Sequence, residues 1–532
     1  DCITLRRRPL SDRQACVLIF IQTSSRQLHS RLIMREIMKR QMDLGEVDIG
    51  AIEISAKSRD DIPRLLRGLQ HIYTTRALRE AVFEILVEVV PRRPDDGEVV
   101  SVETGRPGMS QWQILVLGVL RLGLNADYDR IAELANEHKT LRQMLGHADW
   151  TDDTRWHVQT LKDNLRLFTP EVLERINRVV VDAGHALVKK SPIEGLEVRS
   201  DSFVVETDVH FPTDANLLFD AVRKAIETSA GLCAEVDLSD WRQSAYNVRC
   251  LKQAYRRVQQ LKRSTSKDEA KRAEREALIA QAYRDYLDLA ESFLARARDT
   301  RTKLKLIHRV PECRLAPLDD YIAHGARQID QIDRRVLQGE RIPHAEKVFS
   351  IFQPHTEWIN KGKAGVVVEL GLRVAVSEDQ YGFILNHRVM QGETDDQVAV
   401  PLVEDLVAHY PALESVSMDK GFHSPANQRK LAEIIGFPVL PKKGKRSAME
   451  REREHDPRFV RLRRRHSGVE SAINALEAHG LDLCPDHGID GFKRYVALAV
   501  VGRNIHRLGA ILLQQEAEQQ ARQQRRARRR AA

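Results

Sequence analysis

Three carboxylates stand where local structure gives them little to do. Asp201 falls in the middle of LEVRSDSFVVETDVH, a Val- and Phe-rich run over 196–210 that reads as a strand. An Asp weakens such a strand, because its side chain competes for backbone donors and adds nothing to packing. Asp419 directly follows the strand LESVSM (413–418) and precedes Lys420-Gly421 and a helix. Open α/β sheets place ligand-binding groups there, although Asp-x-Gly is also a common turn sequence. Glu470 ends Ser467-Gly-Val-Glu470, which matches a capping box and is fully accounted for by helix capping. Against that, His466, Glu470, Ile473 and Glu477 share one helical face, and eleven basic residues lie between Lys442 and Arg465. Carboxylates from two strands and a helix beside a basic surface suit phosphodiester cleavage. Two Mg2+ ions about 4 Å apart activate the attacking oxygen and stabilise the leaving one. Hard oxygen ligands from Asp201, Asp419 and Glu470, plus water and phosphate, suffice to hold them, and Mn2+ can substitute.

The candidates for gripping DNA are Lys442, Lys443, Arg463, Arg464, Arg465 and His466, with Lys361 and Lys363 in WINKGKAG. Trp358, just before them, either stacks on a base or belongs to the core. His344, His355 and His423 are scattered singly and receive no role. The six cysteines form no CxxC pair and have no close His partners, so neither a zinc site nor a disulfide framework is expected, and a reducing cytosolic setting fits.

The elements that must position these residues can be read in outline. Residues 51–190 are helical in pattern and are expected to form an all-α N-terminal DNA-binding domain. Within it, a helix opened by Ser110 and a second one resuming at Tyr128 flank a turn at 123–125. That pair is either a helix-turn-helix reader or an ordinary helical hairpin. After the strand at 196–210, a helix starts near Ala215 and a helical insertion covers 220–340, with Leu278, Ile279, Ala282, Tyr286, Leu289 and Phe293 on one stripe. Strands follow at 365–377 and 381–390, then a helix at 396–409, the strand 413–418, a helix capped by Ser424 and Pro425, a short FPVL strand, and helices at 467–478 and 491–514. This order predicts an α/β fold with a mixed sheet covered by helices. Its catalytic domain comprises 191–219 and 341–515, and a basic tail occupies 516–532. Residues 1–50 are an extension. Within them 1–33 shows no sustained period, and translation from upstream of a natural start near Met34 competes with a secretory signal as its origin.

A chain of 532 residues with 84 basic and 76 acidic side chains carries a formal +8. Its composition excludes global disorder and low-complexity polymers. No apolar run reaches the roughly 18 residues of a membrane span, so no membrane partner is expected. Residues 442–465 hold eleven basic and four acidic side chains, and residues 522–532 hold six Arg and no acid. The excess is therefore local, in segments that would attract a phosphate backbone with salt-sensitive affinity, the second of them a tail expected to be disordered.

VRSDSFVVETDVHFPTDANLL, SMDKGFHSPANQ and HSGVESAINALEAHGLD resemble the three acidic blocks of DDE transposases of bacterial insertion sequences, in the ISNCY group. RPGMSQWQILVLGVLRLGLNADYDRIAELAN, EKVFSIFQPHTEWINKGKAG and GFKRYVALAVVGRNIHRLG resemble further blocks, and the likeness covers roughly 34–515. It implies Asp201, Asp419 and Glu470 as a metal-binding triad in an RNase H-like domain, with Asp208 and Asp214 as alternatives for the first acid. Many relatives carry Arg four residues before the Glu and Lys seven after it. Here those positions hold His466 and Glu477, which shifts the expected phosphate grip to Arg463, Arg464 and Arg465. The implied protein is a cytoplasmic, nucleoid-associated bacterial transposase. It binds the terminal inverted repeats of its element and target DNA as a homodimer or larger assembly, hydrolyses DNA with Mg2+, and joins the 3′-hydroxyl to the target. The alternatives are a non-catalytic DNA-binding regulator or inactive remnant, and a dedicated nuclease.

Overall fold

A computed structural model describes residues 36–531, apart from 39–41, 43–44, 56–57, 92–107, 150–151, 190, 192–193, 264–267 and 361–366. Lys361, Lys363 and the extension at 1–33 lie outside the described residues. The chain forms two compact units, one from Asp1–Val205 with Arg373–Ala532 and the other from Glu206–Leu372.

The first unit begins with helices α1 (Ile62–Thr74), α2 (Arg76–Leu86), α3 (Gln111–Gly123), α4 (Tyr128–Glu137), α5 (Lys139–Met144), α6 (Val158–Leu165) and α7 (Pro170–Val188). They do not stand apart as a domain: they belong to the same unit as the sheet, and α1, α3 and α7 pack along the last helix, α17 (Gly488–Ala531). Every residue of α3 is buried, which makes it a core helix. Ser110 caps it through a capping box with Gln113. The solvent face of α4 carries Asp129, Arg130 and Glu133, a net acidic surface that gives no support to the DNA-reading alternative for this pair.

The sheet of this unit is mixed. The Arg373–Glu378 half of β3 (Val368–Glu378) pairs antiparallel with β4 (Ile384–Met390) and neighbours β1 (Leu196–Thr207). β1 pairs in parallel with β5 (Leu413–Met418), and β5 with β6 (Phe437–Val439), while β7 (Leu483–Cys484) also joins β1. Between these strands run α12 (Asp395–His409) and α13 (Pro425–Ile434), the latter capped by Ser424 as its sequence indicates.

Helix α17 ties the helical layer to the sheet. Gly509 and Gly68 let it cross α1 closely: a Cβ on Gly509 would lie 1.8 Å from the Arg64 carbonyl, and one on Gly68 would lie 2.4 Å from that of Ile505. Asn504 of α17, fully buried, donates to the Ile384 carbonyl (2.8 Å) and to Asn177 Oδ1 (2.7 Å) and accepts from the Ile384 amide (2.9 Å). Such a closed polar network fixes register, because each unmade bond would strand a buried group. By length and hydropathy α17 is the one described helix able to cross a membrane, although its apolar run from Tyr495 is broken at Arg503. Its apolar part is mostly buried inside the protein, as in a core helix. The helix also continues through the Arg-rich tail to Ala531, where disorder was expected after residue 515. Unbroken Gln, Glu, Ala and Arg, with neither Gly nor Pro after Gly509, explain the continuation.

The second unit is built on α8 (Asp214–Glu235), α9 (Ser244–Lys262), α10 (Glu269–Leu306) and α11 (Glu312–Ile332). The buried seam of α10 runs through Ala282, Tyr283, Tyr286, Leu287, Ala290, Leu294, Ala297 and Leu304. Leu278, placed on the expected stripe, is exposed, because the packed part of the helix begins a turn later. A strand unforeseen in the sequence, β2 (Glu357–Asn360), pairs antiparallel with residues 368–371 of β3.

Candidate functional site: four carboxylates beside the β1–β5 ladder

The parallel register of β1 and β5 pairs Ser200 with Met418. Asp201 and Asp419 come one residue later on each strand, so they leave the ladder at the same level, where neighbouring backbones are about 4.8 Å apart. Asp201 is half-buried and Asp419 exposed. Burial, above all, pushes the Asp201 carboxyl up to about 6; the negative charges of Asp419, Glu470 and Asp395 add to this, against one amide hydrogen bond from Ser202 (2.8 Å). A carboxylate disfavoured by its surroundings in this way is a marker of functional sites. Asp208 and Asp214 belong to the second unit, and Asp214 pairs there with Arg335 (3.0 Å), so Asp201 is the first acid that shares a unit with Asp419 and Glu470.

Glu470 reaches this cluster because the expected capping box does not form. The basic stretch folds into two helices, α14 (Ala448–His455) and α15 (Pro457–His466), and a turn separates them from α16 (Val469–Leu476). Ser467 Oγ donates back to the Arg464 carbonyl (3.0 Å), and α16 has no side-chain cap. Glu470 is therefore exposed in the first turn of α16, free of a capping role. His466 and Glu470 consequently lie on two helices and not on one continuous face. The signals for α14 and α15 were present: Ser447 with Glu450 is a capping box, and Asp456 caps the helix that starts with Pro457.

Arg199 of β1 positions this junction. Its Nη2 donates to Glu378 Oε2 (2.6 Å) and the Asp379 carbonyl (3.1 Å), and Nη1 reaches the Arg465 carbonyl (3.4 Å). Gly468 makes room for it, since a Cβ there would lie 1.9 Å from Nη1.

Sequence reasoning passed over Asp395, the first residue of α12, which accepts from Ser202 Oγ (2.6 Å). Thr394-Asp-Asp-Gln397 reads as a capping box and hid it. The site thus gathers acids from β1, the end of β5, α16 and α12. Among the described residues no three His, Cys, Asp or Glu side chains stand close enough to hold an ion as placed. The donor chemistry nevertheless fits a hard divalent cation: carboxylate oxygens, with one carboxyl raised chiefly by burial and further by charges that an ion would neutralise.

The basic residues divide into two kinds. Lys442 pairs with Glu450 (2.8 Å), Arg463 with Glu454 (3.8 Å) and Arg465 with Glu197 (2.7 Å), so these three cations have partners within the protein. Lys443 and Arg464 are exposed and make no ion pair among the described residues. His466 is half-buried beside Asp419 and Glu470. Trp358, in the second unit, packs between Phe211 (5.4 Å between ring centres) and Phe349 (5.6 Å).

Comparison with family models, with curated proteins and with solved structures found no match. Fold and site together define a mixed α/β protein that gathers four acidic side chains beside parallel strands.

Proposed function

We propose that this chain is a DDE-type transposase with an RNase H-like catalytic core, cutting and joining DNA with two Mg2+ ions. The observation that carries the reading is the placement of Asp201 and Asp419 one residue past the paired Ser200 and Met418; burial first, and then the charges of Asp419 and Glu470, raise the Asp201 carboxyl to about 6. The resemblance of the acidic blocks to bacterial insertion-sequence transposases supports it further. Asp201, Asp419 and Glu470 would hold the metal, with Asp395 beside them; bound there, Mg2+ supplies Lewis-acid polarisation of the phosphate and a more acidic attacking oxygen. Ser202 fixes Asp201 through its amide and Asp395 through its hydroxyl. Arg199 holds the end of α15, four residues before the helix that carries Glu470 begins, through the Arg465 carbonyl. Lys443 and Arg464, exposed and without an ion pair among the described residues, meet the DNA backbone. The setting is the bacterial cytoplasm, and bringing two DNA ends together calls for a dimer or larger assembly.

Incubating the protein with duplexes that carry a free 3′-hydroxyl at an element end, together with a supercoiled plasmid, tests this reading. Mg2+-dependent joining of the duplex to the plasmid is expected. Cleavage without joining would identify a dedicated nuclease. A protein that shifts DNA but neither cuts nor joins it with Mg2+ or Mn2+ is a regulator or remnant.

A further inference from the structure

A cavity of about 880 Å3 opens in the first unit between the turn that joins α3 to α4, the end of α6 and the start of α17, and it shares no residue with the carboxylate site. Its cations converge. Arg121, only 3% exposed, lays its guanidinium over the Tyr128 ring (4.0 Å to the ring centre) and near that of Tyr495 (5.2 Å), and its Nη2 donates to Asp486 (2.8 Å). Asp486 also pairs with Arg494 (3.4 Å), so this acid is matched by two guanidiniums. Arg121 Nε has no acceptor among the described residues, which leaves one buried donor of the clamp unmatched. Lys162 approaches the same Tyr128 ring (5.5 Å), and burial pushes the Tyr128 hydroxyl up against the pull of Arg121, Arg494 and Arg166. Lys162 and Arg166 stand one helical turn apart and make no ion pair among the described residues. The first turn of α17 reaches the cavity through Gly491 and adds the partial positive charge of a helix start.

The other lining acids, Asp127, Asp482 and Asp490, are exposed, and Asp127 is occupied in capping α4. Cations on one side and free carboxylates on the other suit a ligand with an anionic end and hydrogen-bond donors. Cavities of this size hold small molecules. We propose that the cavity is a nucleotide site, with Lys162, Arg166 and Arg494 on a terminal phosphate and Asp482 and Asp490 accepting from sugar hydroxyls or base N–H groups. A free nucleoside 5′-monophosphate and the 5′-phosphorylated end of an unpaired DNA strand present this same chemistry. The site does not depend on the phosphodiester reading above.

The test is calorimetric titration of the full chain without divalent metal, using AMP against adenosine and a short single strand with a 5′-phosphate against the same strand with a 5′-hydroxyl. The phosphorylated member of at least one pair should bind roughly tenfold tighter or better, the worth of charged hydrogen bonds to phosphate. A preference within the AMP pair alone identifies a free nucleotide, and one within the strand pair alone identifies a strand end. Lys162→Gln with Arg166→Gln should abolish the preference at an unchanged melting temperature, whereas Asp419→Asn should retain it. No preference for phosphate in the wild type, or an equal preference in the Lys162/Arg166 double variant, would overturn the proposal and leave the transposase reading standing.

Discussion

Asp201 and Asp419 sit side by side at one level of two parallel strands, each one residue past the Ser200–Met418 pair. Backbone register brings the two carboxylates to neighbouring positions, and the charge of Asp419 adds to the burial that raises Asp201. Their repulsion is built into the fold, and a cation relieves it.

Burial of Asp201, with that repulsion added, sets a pH dependence. Asp201 ionises near 6 in the folded chain and near 3.8 when unfolded, so between these values the native state holds more protons than the unfolded state. Stability from this group is fully present below about pH 4 and is lost as pH rises through about 6. Asp201→Asn should flatten this slope and raise stability at pH 7.5 by about 2 kcal/mol, after allowance for partial exposure. Millimolar Mg2+ should raise the wild-type melting temperature and leave that of the variant little changed. Identical pH slopes in the two proteins would refute the assignment of the strain to Asp201.

Gly468 is predicted to be intolerant for a specific reason. Gly468→Ala drives a methyl into the Arg199 guanidinium, which is also paired with Glu378. Overpacking of this kind costs about 1–3 kcal/mol, and the displaced start of α16 should lower cleavage at least tenfold through Glu470. Chemical denaturation and cleavage assays on the same preparation check it; a neutral Gly468→Ala contradicts the positioning role.

The basic residues separate by their partners. Lys443→Gln and Arg464→Gln should each reduce the slope of log affinity against log salt by nearly one for duplex DNA while leaving the melting temperature unchanged. Arg465→Gln, which releases Glu197, should affect DNA affinity less. Equal losses across all three would mean that the internal ion pairs open on binding.

Much of the sheet was legible because its strands have turn-bounded, β-branched sequences: Leu413–Met418 appears with the bounds expected, and Ser424-Pro425 starts α13 as anticipated. The three acids were singled out by position and by family resemblance, and the structure places Asp201 and Asp419 at one level of the β1–β5 register. Asp395 was not, since a good capping sequence masks a second use, and the same logic gave Glu470 a cap that it does not form. The unit boundaries were hidden for another reason: β1 and β3 each continue past the division, so no composition change marks it. The ion pairing of Arg465 and Lys442 depends on Glu197, far away in sequence, and on Glu450, which local counting entered only as net charge.

The central claim is that Asp201, Asp419 and Glu470 form one metal-dependent phosphodiester site. The most direct measurement compares Mg2+-dependent nicking of supercoiled DNA by the wild-type protein with that by Asp201→Asn, Asp419→Asn and Glu470→Gln, alongside end binding. The account predicts cleavage by the wild type, loss of at least about 10³-fold in every variant, and retained binding in all of them. Undiminished cleavage by the three variants, or a wild-type protein that binds DNA and never cuts it with Mg2+ or Mn2+, would contradict it.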